Sequence, residues 1–403
     1  MFDAILLASY GGPEKIDDVN PFLDRILTGK RVPPARRAAI FERYERFDGI
    51  SPLPGECRRF LDRLTEAFAD ADAAPRLYWG NLYAPPTFDD ALARIEADGV
   101  RRLLVFPTSA FGSPQSCRRY IDAVRRRSPE LTGRLRIAQT PPFFDLPAYR
   151  RAAADALLTA LAWDELESNP FDFAAPFSQS PQTADFNVDE TNDAPPKRLI
   201  LFSAHSLPTE DALKSFYSAQ LLAAATDVLR STLDAPGYGG TPSEEENAAA
   251  DADATRRYPS RDLVFPDAAD FSPELRRRLR SVGLDAALAF QSRSGSPSSP
   301  WLEPSVVDFV RRYKEENPDW NRLIVSPLGF FFENMETVFD LDVELKETCD
   351  ELGVSYRRAA CCGADDRLVY AVRDLARREP FDFPICRSVP GACDFSCRRA
   401  ASR

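Results

Sequence analysis

One histidine stands among the 403 residues of the chain. A lone imidazole excludes sites that gather several histidines from one chain, which removes most His-rich zinc hydrolases. Long apolar runs are also missing: nothing approaches the roughly 18 residues that a membrane-spanning helix needs, so no membrane span is expected. Positive charge is in deficit, with 51 Lys+Arg against 62 Asp+Glu and a formal net charge of −11. That balance argues against a general nucleic-acid or anionic-lipid binder, because both partners require a basic face. The opening segment, MFDAILLASY, holds no basic residue, and its apolar run is too short for a secretory h-region. A cytoplasmic protein with reduced thiols is therefore expected.

What is present suits a globular fold. Apolar residues make up 44 % and charged residues 28 %, which excludes wholesale disorder, and the length makes two domains the first expectation. Eight short apolar runs read as buried parallel strands: Phe2–Ala8, Arg76–Leu82, Arg101–Pro107, Leu135–Gln139, Arg198–Ala204, Ala286–Gln291, Arg322–Pro327 and Val354–Arg358. Between them lie amphipathic stretches. Phe60, Leu61, Leu64 and Phe68 share one helical face, and Val306, Val307, Phe309 and Val310 mark another.

Such alternation implies βαβ units. Four runs precede and four follow Asp164–Pro196, a Pro-rich stretch with eight acidic residues and no Lys or Arg. The expected architecture is α/β: two similar Rossmann-like domains, each a four-stranded parallel sheet flanked by helices, with a cleft between them. The N-terminal domain is assigned to 1–163 and the C-terminal domain to 197–380. Residues 164–196 read as a disordered insertion, Pro236–Ala254 (five acidic, no basic residues) as a second, and 381–403 as a Cys-rich tail. The insertions contribute −8 and −5, so the other 351 residues carry +2 and the acidity belongs to the appendages.

In open parallel sheets ligands bind beyond the carboxyl ends of the strands, so the residues that follow the runs are the candidates. The first run ends in Tyr10-Gly11-Gly12-Pro13, where two glycines permit a tight turn and close ligand approach. The pattern is not G-x-G-x-x-G, so a dinucleotide site is not supported, and an ordinary βα turn is the plain alternative. The fifth run, RLILFSA, leads to His205. The sixth leads to Gln291-Ser292-Arg293-Ser294-Gly295 and then Trp301, which either lines a flat pocket or joins the core. The seventh leads through Gly329 to Glu336, Asp340 and Glu344, spaced by four along one face of an α-helix or of a wider π-type turn. Three like charges on one face repel. A solvated face is the plain reading, and a row of hard oxygen donors for a divalent cation is the sharper one.

Together these segments resemble the ferrochelatases. The resemblance rests on LLASYGGPEKIDDVNPFL near the N-terminus, FDGISPLP at 47–54, FSAHSLP at 202–208, QSRSG and PWLEP within 291–304, and GFFFENMETVFDLD at 329–342. It covers essentially the whole chain apart from the acidic insertions. It implies two chelatase-type domains around a porphyrin cleft, and a lyase that inserts Fe2+ into a porphyrin in haem biosynthesis. By match to the family's motifs, His205 and Glu336 face each other across the cleft as the catalytic pair and bind Fe2+. Tyr10 lies on the opposite porphyrin face, Arg43 and Ser51 lie near propionates, and Tyr120 is a further substrate contact. Asp340 and Glu344 form an outer acidic row for the metal. The N-terminal block, FDGISP and TSAFGSPQSCRRY resemble the branch that uses coproporphyrin III, with protoporphyrin IX as the alternative substrate. The chain departs from the family at Glu333 and Asn334, where an Asp-His pair is common, and at Leu27 and Thr28, where a basic residue is common. A neutral imidazole with an ordinary pKa of about 6.5 can accept a pyrrole proton at neutral pH, and Glu336 can take the second or bind Fe2+ as a hard ligand.

Of the eight cysteines, five follow residue 360: Cys361, Cys362, Cys386, Cys393 and Cys397. The last three form C-x6-C-x3-C. Disulfides are not expected in a cytoplasmic chain, and thiolate ligation of zinc or of an iron–sulfur cluster is the sharper reading. Some ferrochelatases carry a C-terminal [2Fe–2S] cluster, and that resemblance implies Cys386, Cys393 and Cys397 as ligands, with Cys117 as the fourth and Cys362 competing for that place. Unligated thiols are the alternative, and Cys57 and Cys349 read as structural. Two other functions compete: a chelatase that inserts cobalt into an earlier tetrapyrrole, and a non-catalytic haem or iron carrier. The full HSLP and QSRSG set favours the iron enzyme over the first, and the joint presence of His205 and Glu336 over the second. The expected partners are porphyrin and ferrous iron, and the chain is expected as a monomer or homodimer.

Overall fold

The computed structural model describes residues 2–30, 32–69, 74–126, 135–165, 198–235, 271–294 and 299–377. Strands β1 (Ala4–Ser9), β2 (Arg76–Asn81), β3 (Arg102–Pro107) and β4 (Arg136–Gln139) form one parallel sheet in the order β2-β1-β3-β4. Strands β5 (Arg198–His205), β6 (Leu284–Gln291), β7 (Arg322–Ser326) and β8 (Ser355–Arg358) form a second in the order β6-β5-β7-β8. The two orders are the same pattern, so the halves are similar units, as expected. Helices cover both faces, which is why the strands are largely apolar: every residue of the inner strand β1, and of the edge strand β6, is buried. The register sets the carboxyl edges level. Ser9 pairs with Asn81 in the first sheet, and His205 with Gln291 in the second.

The helix Leu53–Ala67 buries Phe60 and Leu64 on the face read from the sequence, and the helix Val306–Glu316 buries Val306, Phe309 and Val310. Packing does not follow the halves of the chain. The helix Pro147–Glu165 lies against the helix Tyr217–Leu233 and against β7 and β8, while the helix Asp366–Arg377 returns to Leu53–Ala67. Phe331 and Phe332, from the turn after β7, meet Phe60, Phe106 and Phe143 edge-on at 5.3–5.9 Å between centroids. Edge-to-face pairs of this kind add about 0.5–1.5 kcal/mol each beyond their buried area. Polar contacts reinforce the joint: the Tyr149 hydroxyl donates to the Leu328 carbonyl at 2.5 Å, and the Gln220 side-chain amide exchanges bonds with Gly112 at 2.8 and 3.0 Å. These contacts tie elements of the first half of the chain to elements of the second.

One boundary differs from expectation. The helix that begins at Pro147 continues through Glu165, and Asp164 is buried with its carboxylate 3.3 Å from Arg322. That partner is remote in sequence, so a local composition reading misses it. Residues 166–197 and 236–270, and with them nearly all of both acidic stretches, lie outside the described residues, as does the tail at 381–403. No helix among the described residues is long and apolar enough to cross a membrane.

Candidate active site

β5 delivers His205 to the carboxyl edge of the second sheet, and the following HSLP loop fixes its ring. Nδ1 lies 2.5 Å from the Ser206 carbonyl. A carbonyl only accepts, so Nδ1 carries a proton; in the neutral ring Nε2 holds the lone pair, and in the charged ring Nε2–H donates to Glu336. The loop is itself pinned to the PWLEP segment: Ser206 Oγ donates to the Leu302 carbonyl at 2.9 Å, the Leu302 N–H donates to Leu207 at 2.9 Å, and Pro208 bridges to Trp301. Nε2 faces Glu336 Oε1 at 3.4 Å, with 28 % of the imidazole side chain still accessible. Burial pushes the imidazole pKa down, but the charge and hydrogen bond of Glu336, the Ser206 carbonyl and the charge of Asp340 outweigh it. The net direction is upward from the ordinary 6.5.

Glu336 sits in the first turn of the short helix Met335–Phe339. Asn334 caps that helix, its side-chain oxygen accepting from the Glu336 N–H at 2.8 Å and the Thr337 N–H at 3.1 Å. Gln291, at the end of β6, donates to the Glu336 carbonyl at 2.8 Å. The helix then widens into a π-turn over Asp340–Leu345, the wider of the two geometries that the acidic spacing allows. Asp340 is 7 % exposed and accepts a bond from Ser292 Oγ; Ser292 itself has a left-handed φ of 63°. Burial, opposed by that hydroxyl and by Arg43 but reinforced by Glu336 and Glu344, pushes the Asp340 carboxyl up to about 7.

The other wall comes from β1. Gly11 adopts φ 83°, and a Cβ there would lie 2.9 Å from Asn81 and Ala84, so the turn that presents Tyr10 requires glycine. Tyr10 packs on Tyr83 at 4.7 Å and on Phe22 at 6.2 Å. Burial, then the charge of Glu336, pushes its hydroxyl pKa well up. Ser51 is buried behind this turn, its N–H donating to Pro13 at 2.9 Å and its side chain against Gly12.

Arg43 reaches across from the helix Pro34–Glu45 and meets both Asp340 and Glu344 at 3.3 Å, with its guanidinium 4.5 Å from the Phe339 ring centre. The outer acidic row therefore already holds a cation of the protein's own. Among the described residues, no three His, Cys, Asp or Glu side chains gather into a group that could hold a metal ion.

The structure thus brings His205, Glu336, Asp340, Glu344 and Arg43 together, with Tyr10 within electrostatic reach of Glu336. Tyr120 is buried between Phe88, at 6.3 Å, and Thr108, which bonds its hydroxyl, and it shares the electrostatic neighbours Tyr83 and Arg119 with Tyr10. The side chains of Cys117, Cys386, Cys393 and Cys397 lie outside the described residues. Cys57, Cys349 and Cys362 are buried, and burial pushes each thiol up to about 12, so all three are held as thiols at neutral pH. Sequence reasoning placed Gln291 and Ser292 at a strand end but gave them no role, and it missed the capping role of Asn334. The first two lie in the quoted QSRSG motif, and Asn334-x-x-Thr337 before an apolar run is itself a capping pattern.

An imidazole tied to a backbone carbonyl on one nitrogen and facing a carboxylate with the other stands at the carboxyl edge of a parallel sheet in an α/β fold. Comparison with known proteins makes this specific. Residues 2–379 match the family model for ferrochelatase. A coproporphyrin III ferrochelatase from Streptomyces coelicolor is 32 % identical over 378 residues, covering 93 % of this chain and 84 % of that protein. A ferrochelatase from Rhodopirellula baltica is 29 % identical, covering 93 % and 86 %, and a coproporphyrin III ferrochelatase from Nocardia farcinica is 30 % identical, covering 93 % and 87 %. The chain belongs to the ferrochelatase family and is a metal-chelating enzyme of haem biosynthesis.

Proposed function

We propose that this enzyme acts in the cytoplasm on coproporphyrin III, inserting Fe2+ and releasing two protons. The observation that carries the chemistry is the His205–Glu336 pair, with Nδ1 locked on Ser206 so that Nε2 is the acceptor. Nε2 takes one pyrrole proton and Glu336 the other, while the ferrous ion enters from the Asp340–Glu344 side and Tyr10 backs the opposite ring face. Glu336, partly accessible beside an imidazole, suits a hard cation better than a soft one. Arg43 and Ser51 are assigned to the propionates. The same motifs assign Tyr120 to a further substrate contact.

Support for coproporphyrin III over protoporphyrin IX comes from the resemblance of the N-terminal block and from the names of the relatives above. An anaerobic assay of Fe2+ and Co2+ with both porphyrins tests it. Faster Fe2+ insertion into coproporphyrin III is expected; preference for protoporphyrin IX or for Co2+ overturns the assignment.

The tail belongs to the same proposal. Cys386, Cys393 and Cys397, with Cys117, are assigned to a [2Fe–2S] cluster, supported by the resemblance alone. Cluster-type visible bands with stoichiometric iron and sulfide are expected in anaerobically purified protein, and their absence removes the cluster.

A further inference from the structure

We infer that Arg358, the last residue of β8, is a positioning residue for Glu336, holding the segment that carries it from both ends. The inference rests on the catalytic role proposed for Glu336.

The Arg358 side chain is 6 % exposed, and its guanidinium is divided between two carboxylates. Nη1 donates to Glu333 at 2.9 Å; Nε and Nη2 fork onto the two oxygens of Asp342 at 2.6 and 2.8 Å. Glu333 stands three residues before Glu336, and Asp342 six after it. Glu333 is further held by the Cys361 N–H at 2.9 Å and the Thr337 hydroxyl at 2.7 Å, and Thr337 Oγ1 also receives the Asn334 N–H at 3.0 Å. That last bond ties the network to the cap whose oxygen holds the Glu336 N–H.

Asp342 lies inside the π-turn Asp340–Leu345. A π-turn is rare and tends to sit at functional sites. Without an outside anchor, tightening to α-helix would rotate Asp340 and Glu344 relative to Glu336. Arg358 supplies an anchor on the rigid edge of the second sheet. Its neighbour Arg357 makes only a 3.2 Å bond to the Tyr356 carbonyl, so the grip is specific to position 358. A lysine cannot replace it, because one ammonium cannot fork onto Asp342 and also reach Glu333.

Two variants test this. Arg358→Lys keeps the charge and loses the fork. The triple variant Glu333→Gln, Arg358→Met, Asp342→Leu removes the buried ions together, an exchange that commonly leaves a fold intact. Each is compared with wild type for thermal melting, porphyrin binding by fluorescence, kcat and KM, and a crystal structure. The expected result is cooperative melting and porphyrin binding within about twofold of wild type, kcat lowered at least tenfold with porphyrin KM little changed, and a His205–Glu336 separation that opens beyond hydrogen-bond range. A folded triple variant with kcat within about threefold and the pair still closed overturns the inference. If the triple variant does not fold, Arg358→Lys with wild-type kcat and a closed pair overturns it alone. Failure of the proposed function reads differently: wild type itself then fails to metallate, while the crystal structures still report whether Arg358 sets the pair.

Discussion

His205 Nε2 lies 3.4 Å from Glu336 Oε1 while Nδ1 is tied to the Ser206 carbonyl at 2.5 Å. Because this is the only histidine in the chain, one imidazole resonance in a proton NMR titration reports this ring alone. Its pKa is expected above the ordinary 6.5, since Glu336 outweighs burial. In Glu336→Gln it is expected to fall, because burial then acts with less opposition. A midpoint at or below 6.5 in wild type, or no fall in the variant, contradicts the pairing.

Asp340 extends the same logic to stability. Its carboxyl is raised from 3.8 to about 7 in the folded chain, so the folded state binds the proton more tightly than the unfolded one. The stability this contributes is present below the unfolded value and is lost as pH rises through the folded value. His205, also raised, acts in the same direction at higher pH. Measured against Asp340→Asn, the urea midpoint of the wild type is therefore expected to fall as pH rises from about 4 to about 7. Parallel pH profiles would contradict the assignment.

Arg43 occupies the outer acidic row as an internal cation, shared by Asp340 and Glu344. Its side chain is 41 % exposed, so its loss should cost no more than about 1 kcal/mol of stability. Arg43→Gln leaves two carboxylates without their counter-ion, and calorimetric titration with Co2+ in the absence of porphyrin is expected to show several-fold tighter binding. Unchanged or weaker binding would mean that the row does not take up divalent metal.

Asn334 caps the helix of Glu336. Asn334→Ala is expected to destabilise the protein by about 0.5–2 kcal/mol and to lower kcat with little change in porphyrin binding. Denaturant unfolding and steady-state kinetics check both, and a variant equal to wild type in each would remove the cap from the site.

The strands were legible because a parallel strand buried on both faces is a continuous apolar run. Each expected run overlaps a strand, and β6 begins two residues earlier than its run because Leu284 and Asp285 continue the ladder, with Asp285 neutralised by Arg276 at 3.6 Å. His205 and the row of Glu336, Asp340 and Glu344 were legible because they follow strand ends at meaningful spacing. Contacts between distant positions were not. Nothing near Arg43 announces Asp340, nothing near Arg358 announces Glu333, and no local pattern shows that the helix Pro147–Glu165 packs on the second sheet. Those relationships join residues distant in sequence and exist only once the chain has folded.

The most direct test of the His205–Glu336 pair is single-turnover Fe2+ insertion into coproporphyrin III by His205→Ala under anaerobic conditions, with porphyrin binding measured on the same sample. The expected result is porphyrin bound with near wild-type affinity and insertion lowered by at least two orders of magnitude, the scale of a lost general base. Insertion at a rate near that of wild type would contradict the pair as the catalytic centre.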